Sequence, residues 1–109
     1  MSALEQLDQT LSALADPVRR RAVELLAARA YRAGELAEAL GVAAPAMSKH
    51  LRVLRRHGIV SEQSPEFDAR IRIYSLRSAP MADLRSWLAA AEQGWALQLA
   101  AFAEHVGDE

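Results

Sequence analysis

The hydrophobic residues in the middle of this chain recur at the spacing of a helix. Met47, Leu51 and Leu54 lie at positions i, i+4 and i+7, which places them on one face. The opposite face is polar and mostly basic, and it contains Ser48, Lys49, Arg52, Arg55 and Arg56. Pro45 suits the first turn of this helix and Gly58 suits its end. The pattern therefore predicts an amphipathic helix with a basic outer surface.

A shorter helix is predicted just before it. Leu36, Ala37 and Leu40 mark its apolar side, and Gly41 follows them where a helix end favours a residue that tolerates a positive φ. Two short helices joined by a tight turn with Gly are typical of a helix-turn-helix. We predict this motif over about residues 34–57. Taken alone, these residues are also compatible with an ordinary helical hairpin whose polar face happens to be basic.

The segment before this motif predicts two further helices. The first, over about residues 3–15, has a heptad-like apolar seam. The seam consists of Leu4, Leu7, Leu11 and Leu14. Asp16 and Pro17 suit the N-cap and the first residue of the second helix, which runs to about Arg29. Its consecutive arginines 19–21 point in different directions, so we interpret them as partly buried or paired structural residues, with phosphate contact as the alternative. A short link around residues 31–33 leads to the next helix.

After Gly58 the period changes to that of strands. Ile59 and Val60 begin one strand, residues 70–76 form a second, and residues 64–69 between them are turn material. The arginines of the second strand share a face with Tyr74 and Leu76, so we expect a twist or bulge between its tip and its buried end. A β-hairpin after a helix-turn-helix is a wing, predicted over about residues 59–77.

A long amphipathic helix is predicted over about residues 80–106. Its apolar stripe includes Leu84, Leu88, Trp95, Leu99 and Phe102. A domain of this size cannot cover so long a stripe by itself. We therefore predict that the first and last helices pack together and against a second copy, which gives a homodimer. The alternative is a monomer whose terminal helices simply cover the core.

Length and composition indicate one domain over residues 1–109, without disulfides. The chain has no cysteine, which excludes thiolate metal sites and cysteine nucleophiles. No apolar run approaches the roughly 20 residues of a membrane span, and no signal-peptide pattern opens the chain, so a cytoplasmic protein is expected. The predicted fold is mainly α, a winged helix-turn-helix with a three-helix core, a two-stranded β wing and terminal dimerisation helices.

Charge is concentrated in the middle of the chain. Residues 41–77 contain seven basic and three acidic side chains, a net charge of +4, whereas residues 1–40 carry −1 and residues 78–109 carry −4. A basic middle between neutral and acidic ends favours a nucleic-acid-binding surface. An enzyme is not expected. Ser48, Lys49 and His50 are neighbours, but adjacent helix residues splay apart and cannot form a catalytic relay.

The order of these elements and five motif segments resemble the ArsR/SmtB family of bacterial winged-helix repressors. The segments are residues 15–21, 34–42, 45–54, 58–60 and 70–76. The resemblance implies a homodimer that binds double-stranded DNA at an inverted-repeat operator and represses transcription until an effector releases it. The alternative function is a winged-helix protein-interaction module without specific DNA binding.

By the resemblance, Ser48 and Lys49 face DNA, with Pro45, Ala46 and Arg52 near the groove. Arg70 matches the family's wing arginine, and Arg55, Arg56 and Arg72 complete the predicted DNA-binding set. Two departures concern local geometry. Ala69 replaces the glycine that usually precedes the wing arginine. Residues 43–44, both alanine, replace a Ser-Gln pair that would supply an N-cap.

The family's metal ligands are not reproduced. The thiolate site would fall on Arg32 and Gly34, and the last helix lacks the Asp-x-His and His-x-x-Glu spacing of the other site, since His105 is its single histidine. That helix, with Trp87 and Trp95, resembles the metal-independent branch. We therefore expect no metal and no cofactor. The effector is left open as a small molecule, a protein or none.

Overall fold

The computed structural model of the protein describes residues 2–107, and their side chains as far as residue 105. Within these residues there are five helices and three strands. In chain order they are α1 (Ala3–Leu14), α2 (Pro17–Ala28), β1 (Tyr31–Arg32), α3 (Ala33–Leu40), α4 (Ala44–Arg56), β2 (Val60–Gln63), β3 (Ile73–Leu76) and α5 (Ser78–Gly107). The mainly helical winged helix-turn-helix predicted from the sequence is confirmed.

The core lies where α2, α3 and α4 meet the base of the sheet. Its largest fully buried side chains are Leu36, Met47, Leu51, Leu54, Ile59 and Val60. Three of them are the i, i+4, i+7 stripe of α4, and they are at most 1% exposed. Burial of these aliphatic side chains removes apolar surface from water, which is the main force that holds α4 against the other helices. The polar face of α4 is thereby turned outward.

Local side-chain chemistry sets the helix boundaries. Asp16 Oδ1 accepts hydrogen bonds from the backbone N–H groups of Val18 (2.8 Å) and Arg19 (3.1 Å), so it caps α2 as predicted. Gly41 (φ 65°) ends α3 and Gly58 (φ 75°) follows α4, both in the left-handed region. Arg19 Nε donates to the carbonyl of Ala13 (2.7 Å) near the end of α1, which supports its interpretation as a structural arginine.

The sheet corrects two sequence predictions. The link predicted at residues 31–33 contains β1, which pairs antiparallel with β3 through Tyr31↔Tyr74 and Arg32↔Ile73. The sheet therefore has three strands in the order β1-β3-β2, not two. A two-residue strand is too short to show alternation in the sequence. The strand predicted for residues 70–76 begins only at Ile73, because residues 68–71 form a turn in which the Ile71 N–H donates to the Asp68 carbonyl (3.2 Å).

The late start of β3 also removes the need for the expected twist or bulge. Arg70 and Arg72 precede the paired strand, whereas Tyr74 within it is 6% exposed and Leu76 is half-buried. β3 pairs with β2 from Val60↔Leu76 to Gln63↔Ile73. The wing therefore consists of a short paired base and a long irregular tip.

The last helix extends away from this core. α5 has 30 residues, about 45 Å of helix. Met81 packs partly against the core and Leu84 is half-buried, but every side chain from residue 85 to residue 105 is exposed. The Cα radius of gyration is 18.8 Å, against about 13 Å for a compact chain of this length. None of the described helices combines the length and apolarity needed to cross a lipid bilayer.

Candidate nucleic-acid interface

The outward face of α4 presents most of the predicted DNA contacts. Ser48, Lys49 and Arg52 are exposed, Pro45 is exposed in the first turn, and Ala46 is half-buried beside it. The buried side of the same helix fixes the direction of this face. Lys49, Arg52 and Arg56 form no ion pair within residues 2–107, so their charges are not offset by any described carboxylate. Cations held on a rigid helix in this way can bind phosphate or base edges.

The N-terminus of α4 is uncapped by any side chain. Ala43 holds the N-cap position with φ −61° and ψ 143°, and it offers no side-chain acceptor. The loss of the cap expected from the alanine pair at 43–44 is therefore confirmed. The free backbone N–H groups of the first turn carry the positive end of the helix dipole. The part of α4 next to the turn is thus favourable for a negative charge.

Two of the predicted DNA-binding arginines converge on one carboxylate. Arg55 Nη1 lies 2.8 Å from Glu62 Oε2, and Arg72 Nη1 lies 3.3 Å from Glu62 Oε1. The Tyr74 hydroxyl donates to Glu62 Oε2 at 3.2 Å. Burial and the negative charge of Glu62 raise the pKa of Tyr74, so this phenol stays protonated and serves as a donor. Glu62 thus joins α4 to both strands of the wing base.

Arg70 at the wing tip is also paired. Its Nε and Nη2 atoms lie 3.1 Å and 3.3 Å from the two carboxylate oxygens of Asp68, and its backbone N–H donates to Oδ1 at 2.9 Å. The side-chain and backbone hydrogen bonds from Arg70 lower the pKa of Asp68. Within the described residues positive φ values occur only at glycines, so Ala69 adopts an ordinary backbone conformation in this turn. The wing tip forms without the family's usual glycine.

The outward face of α4 and the paired base of the wing line one cavity. Its volume is about 240 Å³, and it is lined by Ala33, Ser48, Arg52, Arg55, Glu62, Arg72 and Tyr74. Four of the predicted DNA-binding residues are brought together here, whereas Lys49, Arg56 and Arg70 lie outside this lining. The sequence predictions missed Glu62 and Tyr74. Glu62 and Tyr74 come together because they are paired across the antiparallel strands β2 and β3. The register between two strands cannot be predicted from periodicity alone.

The predicted dimer residues fall into a covered group and an uncovered group. α1 packs against α5, and Leu7, Leu14 and Leu84 are partly buried. The remaining members are exposed. They are Leu4, Leu11, Leu88, Trp95, Leu99 and Phe102. Within residues 2–107, no three histidine, aspartate or glutamate side chains cluster at the spacing that a metal ion requires.

Comparison with known proteins agrees with this arrangement. Residues 16–62, from the cap of α2 into β2, match the model of a family described as bacterial regulatory protein, arsR family. The chain is 35% identical over 109 residues to the HTH-type transcriptional regulator Rv2034 of Mycobacterium tuberculosis, covering 100% of this chain and 96% of that protein. It is 27% identical over 82 residues to the transcriptional repressor SdpR of Bacillus subtilis, covering 75% and 88% respectively.

The fold has solved counterparts as well. An ArsR-like transcriptional regulator from Rhodococcus sp. RHA1 matches with a TM-score of 0.74 and 26% sequence identity, over 93% of this chain and 92% of that one. The match includes most of the terminal helices in addition to the helix-turn-helix. The similarity therefore extends over nearly the whole chain.

Proposed function

This chain belongs to the ArsR family of bacterial transcriptional regulators. We propose that it is a cytoplasmic homodimeric repressor that binds an operator of inverted-repeat type. The family consists of regulators and not of enzymes. Its members bind DNA and are generally dimeric. The proposal extends these properties to the particular residues of this chain.

The single observation that carries the proposal is the outward face of α4. Ser48, Lys49 and Arg52 project from a helix whose other face is locked in the core, and the two cations are unpaired within the described chain. The major groove of B-DNA admits one α-helix, and its base edges are read by side chains on that helix. We assign base contacts to these three residues, with Pro45 and Ala46 close to the groove.

The remaining cations suit phosphate binding. Arg55 and Arg56 stand in the last turn of α4, and Arg70 and Arg72 stand on the wing. Phosphate contacts position a protein on the duplex and supply most of the salt-dependent affinity. We therefore assign these four residues to the DNA backbone on either side of the groove that α4 enters.

The exposed apolar stripe of α5 supports the dimer. Trp95, Leu99 and Phe102 are 50–66% exposed in one chain, and Leu4 of α1 is 72% exposed. Apolar surface of this extent marks an interaction site, and a two-fold axis through it would use the same stripe in both copies. Two symmetric α4 helices then bind two half-sites about one helical turn apart, which is why the operator should be an inverted repeat.

Repression and release are the finer part of the proposal. SdpR is named a transcriptional repressor. A dimer of this chain bound to its operator would likewise repress transcription, by occupying that DNA. An effector would release it by favouring a dimer whose α4 helices no longer match the half-site spacing. The effector stays open as a small molecule, a protein or none.

The test is binding to a duplex from the chain's own promoter and to a shuffled duplex, with the Lys49→Ala/Arg52→Ala double variant. We expect the unmodified protein to prefer the promoter by about a thousandfold or more. The double variant should bind it at least about a hundredfold more weakly while remaining dimeric by sedimentation. Arg21→Ala/Arg85→Ala removes the same charge from two exposed residues outside the interface and should change affinity far less. Equal affinity of the unmodified protein for both duplexes at every salt concentration would favour the protein-interaction module instead.

A further inference from the structure

An acidic residue lies inside the basic surface. Glu62 belongs to β2, yet its carboxylate lies between α4 and the wing, in the same cavity as Ser48 and Arg52. Among the described residues, no other acidic side chain lines that cavity. A negative charge beside a DNA phosphate is unfavourable, so its presence there requires a role other than direct attraction.

Both oxygens of this carboxylate are already engaged by donors. Oε2 accepts from Arg55 and from the Tyr74 hydroxyl, while Oε1 is paired with Arg72. The Glu62 side chain is only 13% exposed, whereas Arg55 and Arg72 are 59% and 60% exposed. A glutamate can read cytosine by accepting from its amino group, but here both carboxylate oxygens already have partners within the protein and the side chain is mostly buried. Direct base recognition by Glu62 is thereby disfavoured.

The same contacts change what the two arginines can do. An unpaired arginine samples many rotamers and attracts any nearby phosphate, whatever the sequence. Arg55 and Arg72 are both ion-paired to Glu62, at 2.8 Å and 3.3 Å, and this shared partner restricts the positions of their guanidinium groups. The three charges sum to +1 in place of +2, which lowers the attraction of this surface for arbitrary DNA.

We propose that Glu62 is a positioning residue that raises the sequence specificity of DNA binding, by fixing Arg55 and Arg72 between the recognition helix and the wing and by offsetting one of their charges. The inference rests on the proposed DNA-binding function. In this role Glu62 raises the ratio of specific to non-specific affinity for DNA without contacting a base itself.

The first test is Glu62→Gln, which keeps the shape of the side chain and removes its charge. Binding to the promoter duplex and to a shuffled duplex is measured between 50 and 200 mM salt. For the shuffled duplex we expect a salt dependence steeper by about one ion per protomer, and binding about three- to tenfold tighter at the lowest salt. The promoter-to-shuffled affinity ratio should fall by about the same factor.

The matched control is Glu66→Gln. Glu66 is an exposed residue in the same hairpin, it forms no ion pair within residues 2–107, and its substitution changes the net charge equally. We expect it to leave the affinity ratio close to that of the unmodified protein. A Glu62→Gln effect no larger than that of Glu66→Gln would overturn the proposal, since net charge alone would then explain it.

The positioning role is tested by adding Arg72→Gln in both backgrounds. If Glu62 holds Arg72 in place, Arg72→Gln lowers the affinity ratio in the unmodified protein. In the Glu62→Gln background it should weaken binding to both duplexes equally and leave the ratio unchanged. The same reduction of the ratio in both backgrounds would overturn the positioning role, because independent contributions simply add.

The outcomes separate this inference from the proposed function. If the unmodified protein does not discriminate between the duplexes, the DNA-binding proposal itself fails. If it discriminates and Glu62→Gln does so equally well, only the role of Glu62 fails. Thermal unfolding of every variant is followed by circular dichroism. Loss of binding to both duplexes together with loss of folded structure would assign Glu62 to stability alone and overturn the inference.

Discussion

The two longest described helices use their apolar residues in opposite ways. Met47, Leu51 and Leu54 of α4 are at most 1% exposed, whereas Trp95 and Leu99 of α5 are 63% and 50% exposed. The apolar residues of α4 lie on one face and find their partners within the same chain, whereas those of α5 lie on more than one side of the helix and are exposed. One chain thus completes the core that holds α4, whereas the exposed apolar residues of α5 are the surface that we propose for a second copy.

This contrast separates two kinds of stability. Substitutions in the α4 stripe should change the free energy of unfolding of each chain. Substitutions in the α5 stripe should change the association of two chains, and their effect should depend on protein concentration.

Leu51→Ala should have the largest effect on folding. Leu51 is fully buried between α4 and the neighbouring helices, and truncation of such a leucine costs about 2–5 kcal/mol of unfolding free energy. Urea denaturation followed by circular dichroism measures the loss. The loss should be the same at protein concentrations tenfold apart, because the contact lies within one chain. The control Arg52→Ala, on the exposed face of the same helix, should change stability by less than about 0.5 kcal/mol. A loss below about 1 kcal/mol for Leu51→Ala would contradict the self-contained core.

Leu99→Ala tests the other half of the contrast. Leu99 lies on the apolar stripe of α5, whereas Leu97, two residues away, points to the opposite side of the helix. Both are exposed in one chain. Sedimentation equilibrium should show a dimer weakened by about thirtyfold, or about 2 kcal/mol, for Leu99→Ala.

Leu97→Ala is the matched control for that measurement. It removes the same atoms from the other face, and we expect the dimer to weaken by less than about threefold. If both substitutions weakened the dimer equally, both sides of α5 would be in contact with the second copy. No effect of either would contradict the dimer interface on this helix.

The same contrast shows what the sequence could and could not predict. The 3.6-residue period located α4 and α5, and the glycines at 41 and 58 located helix ends, because these signals depend on neighbours along the chain. The period cannot tell whether a stripe is covered, since that depends on contacts between distant segments or separate chains. The two-residue strand β1 and the contacts of Glu62 were missed for the same reason. Both depend on strand register, which local pattern does not specify.

Asp16→Ala should have a smaller effect, and one that depends on pH. The backbone hydrogen bond from Arg19 lowers the pKa of Asp16, and the nearby His50 lowers it further, against the opposing effect of burial. A carboxyl whose pKa is lower in the folded state stabilises the protein above its unfolded pKa of about 3.9. That contribution is lost as the pH falls through the folded value.

We therefore expect Asp16→Ala to lower stability by about 1 kcal/mol at pH 7. The difference from the unmodified protein should shrink below about pH 4, where the carboxyl becomes protonated. Urea denaturation at a series of pH values measures both. Asp8→Ala, at an exposed position inside α1, is the control and should show neither effect. A difference that stays constant down to pH 2 would mean that the charge of Asp16 does not contribute to the cap.

Ala43→Ser should have the smallest effect, and it should be stabilising. Ala43 already has the extended backbone of an N-cap residue. Pro45 has no N–H at the second helical position, so a serine hydroxyl here would accept from the Ala46 N–H. This cap should raise stability by about 0.5–1 kcal/mol, seen as a higher urea midpoint. Ala44→Ser, one residue further along, cannot cap the helix in this way and should be neutral within about 0.5 kcal/mol. If Ala43→Ser gains nothing, the free N–H groups of α4 are already satisfied by solvent, and the chain gives up no stability by presenting them uncapped at its proposed DNA-binding surface.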